Sequence, residues 1–142
     1  MIKKIATWSL LAFAATALVT KIISVNAAQE PTVLPDGNLV VFFHASARCK
    51  TCDDMERLLN GVLARQEYVD LEITLVPLES DSAKNRELVE YFRVVGLSLI
   101  LMERRDGEMV RYDNITTDAW NSINREARFV EMVEGKFSDF YQ

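Results

Sequence analysis

The chain has 142 residues, 16 of them basic and 21 acidic, for a net charge of −5. That length suits one domain with a core of its own, and the acidic balance is a poor match to nucleic acid, whose affinity comes largely from basic contacts to phosphate. The two cysteines and the single histidine all lie between His44 and Cys52, so no wider disulfide framework is possible.

Met1 to about Ala27 reads as a targeting segment. Lys3 and Lys4 precede an apolar run from Ile5 to Val19, and Val25-Asn26-Ala27 suits a cleavage site. Lys21 interrupts the apolar stretch, yet Ile5 to Val25 is long enough to cross a bilayer if Lys21 snorkels to the interface. Residues 1–27 are therefore expected to be a signal peptide or an uncleaved membrane anchor. Either one exports the domain to the periplasm or another extracytoplasmic compartment, free or attached to the inner membrane, where a cysteine pair can oxidise. Three of the 16 basic residues and none of the 21 acids fall in this leader, which leaves 13 against 21, a net charge of −8.

Residues 28–38 hold Pro31, Pro35 and Gly37 and read as a linker or irregular lead-in. The domain proper is expected at 39–142. Leu39 to Phe43 is an unbroken apolar run, the mark of a short strand buried on both faces. After a small polar segment, Met55, Leu58, Leu59, Val62 and Leu63 recur at spacings of three and four and predict a helix. Val69 to Leu78 alternates Leu71, Ile73 and Leu75 with polar residues and predicts a strand with one face buried, ending near Pro77. Asp81 or Ser82 can cap a following helix. Its apolar residues are Leu88, Tyr91, Phe92 and Val95, and Gly96 stops it. Leu97 to Met102 is a second apolar strand. Arg105-Asp106-Gly107 turns it into Glu108 to Tyr112, a hairpin. Thr116 or Thr117 should cap one last helix that buries Trp120, Ile123, Ala127, Val130, Val133 or Glu134, and Phe137. The order β-α-β-α-β-β-α implies an α/β fold: a four-stranded mixed sheet with helices on both faces and a parallel first pair.

Cys49-x-x-Cys52 falls where the first strand ends and the first helix begins. Free N–H groups and the positive dipole end of the helix stabilise a thiolate there, so the pKa of Cys49 should drop below the free-thiol value of about 8.5. Arg48 and Lys50 add positive charge beside it, while Asp53, Asp54 and Glu56 read as solvated first-turn acids. A thiolate at Cys49 can attack a disulfide, and Cys52, one turn on, can resolve the product. A purely structural disulfide closing so small a loop would constrain the unfolded chain little. His44 has three readings: a polar strand-end residue, a tuner of Cys49, or a metal ligand. As a ligand it would join Cys49 and Cys52, one short of a closed zinc site but enough for a soft ion such as Cu(I) or arsenite. A c-type haem is excluded because Asp53, and not His, follows Cys52.

These features, with Gly96-Leu97-Ser98-Leu99-Ile100-Leu101-Met102 and Asp106-Gly107-Glu108, resemble the thioredoxin superfamily over roughly Leu39 to Phe137. Within it, Phe43-His44, Arg48-Cys49, Thr51-Cys52 and Glu56 look most like a small exported group described as a subunit of a nitrophenyl-compound nitroreductase linked to arsenic gene clusters. The departures matter. Arg48 stands where thioredoxins carry Trp, and Lys50-Thr51 where they carry Gly-Pro. Phe43 falls near the family's buried proton-accepting Asp. Ser98 falls at the family's cis-proline, which faces the dithiol, shapes the groove and keeps metals away. A cis bond before Ser costs several kcal/mol more than before Pro, so it is expected to be trans.

The resemblance implies a thioredoxin-like domain acting as an exported thiol–disulfide oxidoreductase or electron-transfer subunit, with Cys49 and Cys52 as the reacting pair. Arg48, Lys50, Thr51, His44 and Ser98 would tune the pair or line its groove. The dithiol carries two electrons itself, so no cofactor is expected. The sequence holds no flavin, haem or nitroaryl site, and a nitroreductase role would rest on a partner subunit. The expected partner is a protein thiol or disulfide. The alternatives are a soft-metal or arsenite binding module and an interaction subunit with an inert dithiol.

Overall fold

A computed structural model describes residues 30–142, and the expected leader lies outside them. Pro31–Gln142 forms one compact unit. Among the described residues no helix is long and apolar enough to cross a membrane. The elements are β1 (Gly37–His44), α1 (Lys50–Leu63), α2 (Gln66–Asp70), β2 (Ile73–Glu79), a 3₁₀ turn (Ala83–Asn85), α3 (Arg86–Phe92), β3 (Ser98–Arg105), β4 (Glu108–Asn114), α4 (Thr116–Ser122) and α5 (Glu126–Tyr141).

The sheet runs β2-β1-β3-β4. β1 is parallel to β2 and antiparallel to β3, and β3 is antiparallel to β4 with a bulge at Glu103/Arg104. The α/β, thioredoxin-like architecture expected from the sequence is thus present. β1 and β3 are central, which is why Leu39–Phe43 and Leu97–Met102 are apolar on both faces. Side chains alternate across the sheet. Val40 and Phe42 of β1 and Leu99 and Leu101 of β3 meet Met55 and Leu59 of α1 and Phe129, Val133 and Phe137 of α5. Leu39, Val41, Phe43, Ile100 and Met102 turn the other way, toward Phe92 of α3 and Leu34 of the lead-in. Each large apolar side chain taken wholly out of water contributes about 1.5–3 kcal/mol. The central strands therefore outweigh the screened ion pairs at the rim.

Along the lead-in, Leu34 is buried and Thr32 N–H donates to Lys84 O at 3.0 Å. Asp36 accepts from Gly107 N–H in the β3–β4 turn at 3.0 Å. That turn has two residues, Asp106 (φ 54°) and Gly107 (φ 79°), the left-handed pair of a tight hairpin.

Several expected boundaries are corrected. Val69 and Asp70 close the short helix α2, Glu72 is left-handed (φ 52°), and the strand starts only at Ile73. At its other end the strand stops at Glu79, near Pro77 as expected, and Pro77 itself sits within it because β2 is an edge strand, where the missing N–H can face outward. β2 is not buried on one face only, since Ile73 and Leu75 pack on the α1 side and Val76 and Leu78 on the α3 side. Helix α3 stops at Arg93, three residues before Gly96. Arg93 adopts φ 52° and Val94 N–H closes onto Val89 O at 2.9 Å. Tyr91 and Val95 are consequently exposed, leaving Phe92 as the buried residue.

The last helix is two helices. Ser122 turns its hydroxyl back onto the carbonyls of Asp118 and Ala119, a bond that competes with the helix ladder, and Arg125 is extended. Ala127 is then exposed, and Phe129, Val133, Phe137 and Tyr141 form the buried stripe. Trp120 is not core: it is 45% exposed, with its indole N–H on Leu97 O at 3.3 Å. Neither Thr116 nor Thr117 caps α4: Ile115 holds the N-cap position without a side-chain bond, Asn114 Oδ1 just before it accepts from Thr116 N–H at 3.1 Å, and Thr116 Oγ1 accepts from Leu99 N–H.

Candidate functional site

The C-terminal ends of β1 and β2 and the start of β3 lie at one end of the sheet, because Phe43 pairs with both Leu78 and Ser98. The connection from β1 to α1 crosses this end and brings Cys49 to the N-cap position of α1, with extended backbone (φ −121°, ψ 161°). Cys49 is exposed and Cys52, one turn further, is buried at 3% exposure. Their Sγ atoms are 3.0 Å apart, within thiol hydrogen-bond distance, and both thiols are free.

This geometry splits the two acidities. Cys49 lies below the ordinary thiol value because it receives the hydrogen bond of Cys52, then the backbone N–H groups of Cys52 and Thr51; partial desolvation and the charge of Asp53 oppose this. Burial pushes Cys52 up, and its hydrogen bond to Cys49 pushes the same way. Of the two thiols, the exposed Cys49 is therefore the more acidic and the buried Cys52 the less.

Arg48 and Lys50 flank the dithiol with charges already engaged. The Arg48 guanidinium is held by Asp53 at 3.0 Å and by Glu56. Lys50 Nζ is 2.6 Å from Asp54. Thr51 contributes through its backbone N–H. Ser98 is buried at the head of β3, at the dithiol end, and its preceding peptide bond is trans.

His44, the last residue of β1, is 6% exposed. Its Nδ1 is 2.9 Å from Ala45 O. A carbonyl only accepts, so Nδ1 carries the proton and Nε2 of the neutral ring is the acceptor. His44 lines a pocket of about 310 Å³ with Ser46, Arg48, Pro77, Glu79 and Lys84. Among the described residues, no group of three or more His, Cys, Asp and Glu side chains is placed to hold a metal ion. The structure thus brings Cys49 and Cys52 together but does not assemble them with His44 into a three-ligand set.

Two contributors escaped the sequence reading. Asp81, expected as a helix cap, instead accepts Ser46 N–H and Ser46 Oγ–H at 3.0 and 2.6 Å and pins the loop that carries the dithiol. Asn85, 1% exposed, bonds Glu79 O through Nδ2 at 2.7 Å and takes the Thr32 hydroxyl. Both are long-range pairs, and a single chain carries no periodic signal for either.

No protein-family model and no curated protein matches the chain. Among solved structures, Trxlp from Edwardsiella tarda is 26% identical, over 54% of this chain and 69% of that one, with a TM-score of 0.40. Mitochondrial thioredoxin 3 from Saccharomyces cerevisiae, in its oxidised form, is 20% identical over 65% and 81%, with a TM-score of 0.41. A thioredoxin from Thermus thermophilus is 17% identical over 64% and 74%, with a TM-score of 0.35. The fold assignment rests on the strand order and register described above.

Proposed function

We propose that this chain is a thiol–disulfide exchange protein that acts outside the cytoplasm, as an oxidoreductase or as the electron-transfer subunit of a reductase. The observation that carries the reading is the asymmetric dithiol: an exposed, acidified Cys49 at a helix N-terminus, 3.0 Å from a buried Cys52 with raised pKa. The Cys49 thiolate attacks one sulfur of a partner disulfide. A Cys49–partner bond forms, the partner disulfide breaks, and its other sulfur leaves as thiolate. Cys52 then attacks Cys49 Sγ, closing Cys49–Cys52 and releasing the partner as a dithiol. Two electrons pass to the partner, and a second dithiol returns the chain to its reduced form. The reverse sequence oxidises a partner with the same residues.

Exposure is matched to role. Cys49 meets the partner, while Cys52, shielded in the core, resolves the mixed disulfide only after it has formed. The leader and the likeness to the nitroreductase-subunit group support the exported, subunit part of the reading. Cys52→Ser removes the resolving thiol and should accumulate mixed disulfides through Cys49 in cells. Failure to recover any covalent partner under oxidising conditions would sink the exchange role.

A further inference from the structure

β4 is the outer strand beside β3, and among the described residues no strand lies beyond it. Its residues are exposed, apart from the half-buried Met109. A free edge is a template for another strand, and proteins commonly blunt it with Pro, Lys or a cover. The opposite edge does so, since β2 carries Pro77. β4 has neither Pro nor Lys, and Tyr112 near its end is 45% exposed. The bulge at Glu103/Arg104 disturbs only its start and leaves Arg111 to Asn114 in regular register.

That register fixes which backbone groups are free. Ile115 N–H donates to Leu99 O at 3.0 Å, so Leu99 and Ile115 face each other as a hydrogen-bonded pair. Such pairs alternate along an antiparallel ladder. Ile100–Asn114 and Met102–Tyr112 are then non-hydrogen-bonded pairs, and the N–H and C=O of Tyr112 and Asn114 point outward. A second copy of β4 laid antiparallel must set outward residues against outward residues. A two-fold axis at Arg111 puts Arg111 opposite itself, and one at Asp113 puts Asp113 opposite itself; like charges directly opposite repel. An axis at Asn114 runs Tyr112 into Thr116, already in α4. An axis at Tyr112 sets Arg111 opposite the partner's Asp113, twice, in the non-hydrogen-bonded pairs where side chains lie closest.

The side chains suit that register. Arg111 lies on the α5 face, 4.6 Å over the Phe140 ring, and Glu103 takes only its Nε. Lys136 feels the charge of Asp113 but is held by Asp118. Tyr112 lies on the other face, against Tyr91 and Phe92 of α3.

We propose that β4 is the self-association edge of this protein: two copies pair antiparallel about Tyr112, and their sheets join into one of eight strands. Each Tyr112 exchanges N–H···O=C bonds with its counterpart, and each Arg111 meets the partner's Asp113. The dithiol end of the sheet is the end where β3 starts and β4 finishes. Antiparallel pairing therefore sends the two dithiols to opposite ends of the joined sheet, where both stay open to exchange.

In sedimentation velocity the purified protein should show a concentration-dependent dimer that weakens as salt rises. Asp113→Arg sets two arginine pairs across the axis and should raise the dissociation constant about tenfold or more. Arg111→Asp should do the same, and mixing the two variants should restore a dimer, because opposite charges then meet at both positions. The register has its own readout. In a Cys49→Ser, Cys52→Ser background, Tyr112→Cys should close a disulfide between copies under mild oxidation, since facing Cα atoms of a hydrogen-bonded pair lie about 5.5 Å apart, within disulfide range. Asp113→Cys in the same background should not. Wild-type protein that stays monomeric at every concentration overturns the proposal and leaves the edge to a different strand. A dimer indifferent to Asp113→Arg overturns it too, as does equal cross-linking at the two positions. If a charge variant fails to fold, the cross-linking decides.

Discussion

Ser46 gives both its backbone N–H and its hydroxyl to the Asp81 carboxylate, at 3.0 and 2.6 Å across 35 positions of sequence. This clasp ties the loop preceding Cys49 to the loop that follows β2. The two bonds from Ser46 hold the Asp81 carboxyl below its ordinary value. Its contribution is therefore present above the free-carboxyl pKa of about 3.9 and is lost as pH falls through the lower folded value. Asp81→Ala should lower the hydrogen-exchange protection factor of the Ser46 amide at neutral pH and leave that protection factor, corrected for the intrinsic rate, insensitive to acidification. Unaltered protection of Ser46 in the variant would show that the clasp does not order the loop.

The largest single cause of the acidity of Cys49 is the hydrogen bond from Cys52. Cys52→Ala removes the donor and keeps the helix. Ultraviolet thiolate absorbance followed against pH should then place Cys49 closer to an ordinary thiol than in the wild type. An equal or lower Cys49 pKa in the variant would assign the effect to the helix N-terminus alone.

The dithiol was legible in the sequence because its signals are local: an apolar strand, two cysteines at helical spacing, and a stripe from Met55 to Val62. The two central strands were equally plain, since only burial on both faces sustains runs such as Leu39–Phe43. What sequence could not supply depends on neighbours. Pro77 marks the end of β2 to within two residues, but that the proline is tolerated inside the strand depends on β2 being an edge. Gly96 reads as the helix stop, yet Arg93 takes the left-handed position because Phe92 is by then seated in the core. Trp120 is an apolar bulk whose N–H found Leu97 O near the surface. Arg48 and Lys50 read as positive charge beside Cys49, but which acids they pair with depends on side-chain placement that spacing alone does not give.

That pairing gives a prediction of its own. Arg48 is shared between Asp53 and Glu56, which offset part of its field, although it still acts to lower the Cys52 pKa. Glu56→Gln removes one counter-charge and should lower the Cys49 pKa further at low salt, with the difference shrinking as salt screens the exposed charges. A rise in the Cys49 pKa, or no dependence on ionic strength, would contradict this account of the pair.

Beyond its apolar stripe, the terminal helix is tied to the centre of the sheet by a hydroxyl: Tyr141 donates to Leu39 O at 2.5 Å, and burial holds the phenol far above its ordinary pKa. Tyr141→Phe keeps the ring but leaves the hydroxyl's place empty, and should cost about 1–2 kcal/mol in denaturant unfolding. Phe42→Ala, which opens a cavity where α1 and α5 meet β1, should cost about 3–5 kcal/mol. Equal losses for the two would mean that the hydroxyl does more than close one hydrogen bond.

The exchange role stands or falls on the reduction potential of the domain, read by thiol trapping across a dithiol/disulfide buffer series with chelator present. A catalytic pair with an acidified Cys49 should titrate with a midpoint between about −270 and −120 mV. A midpoint below roughly −300 mV, where structural disulfides lie, or no exchange at all, would contradict it and leave the dithiol as an inert part of an interaction subunit.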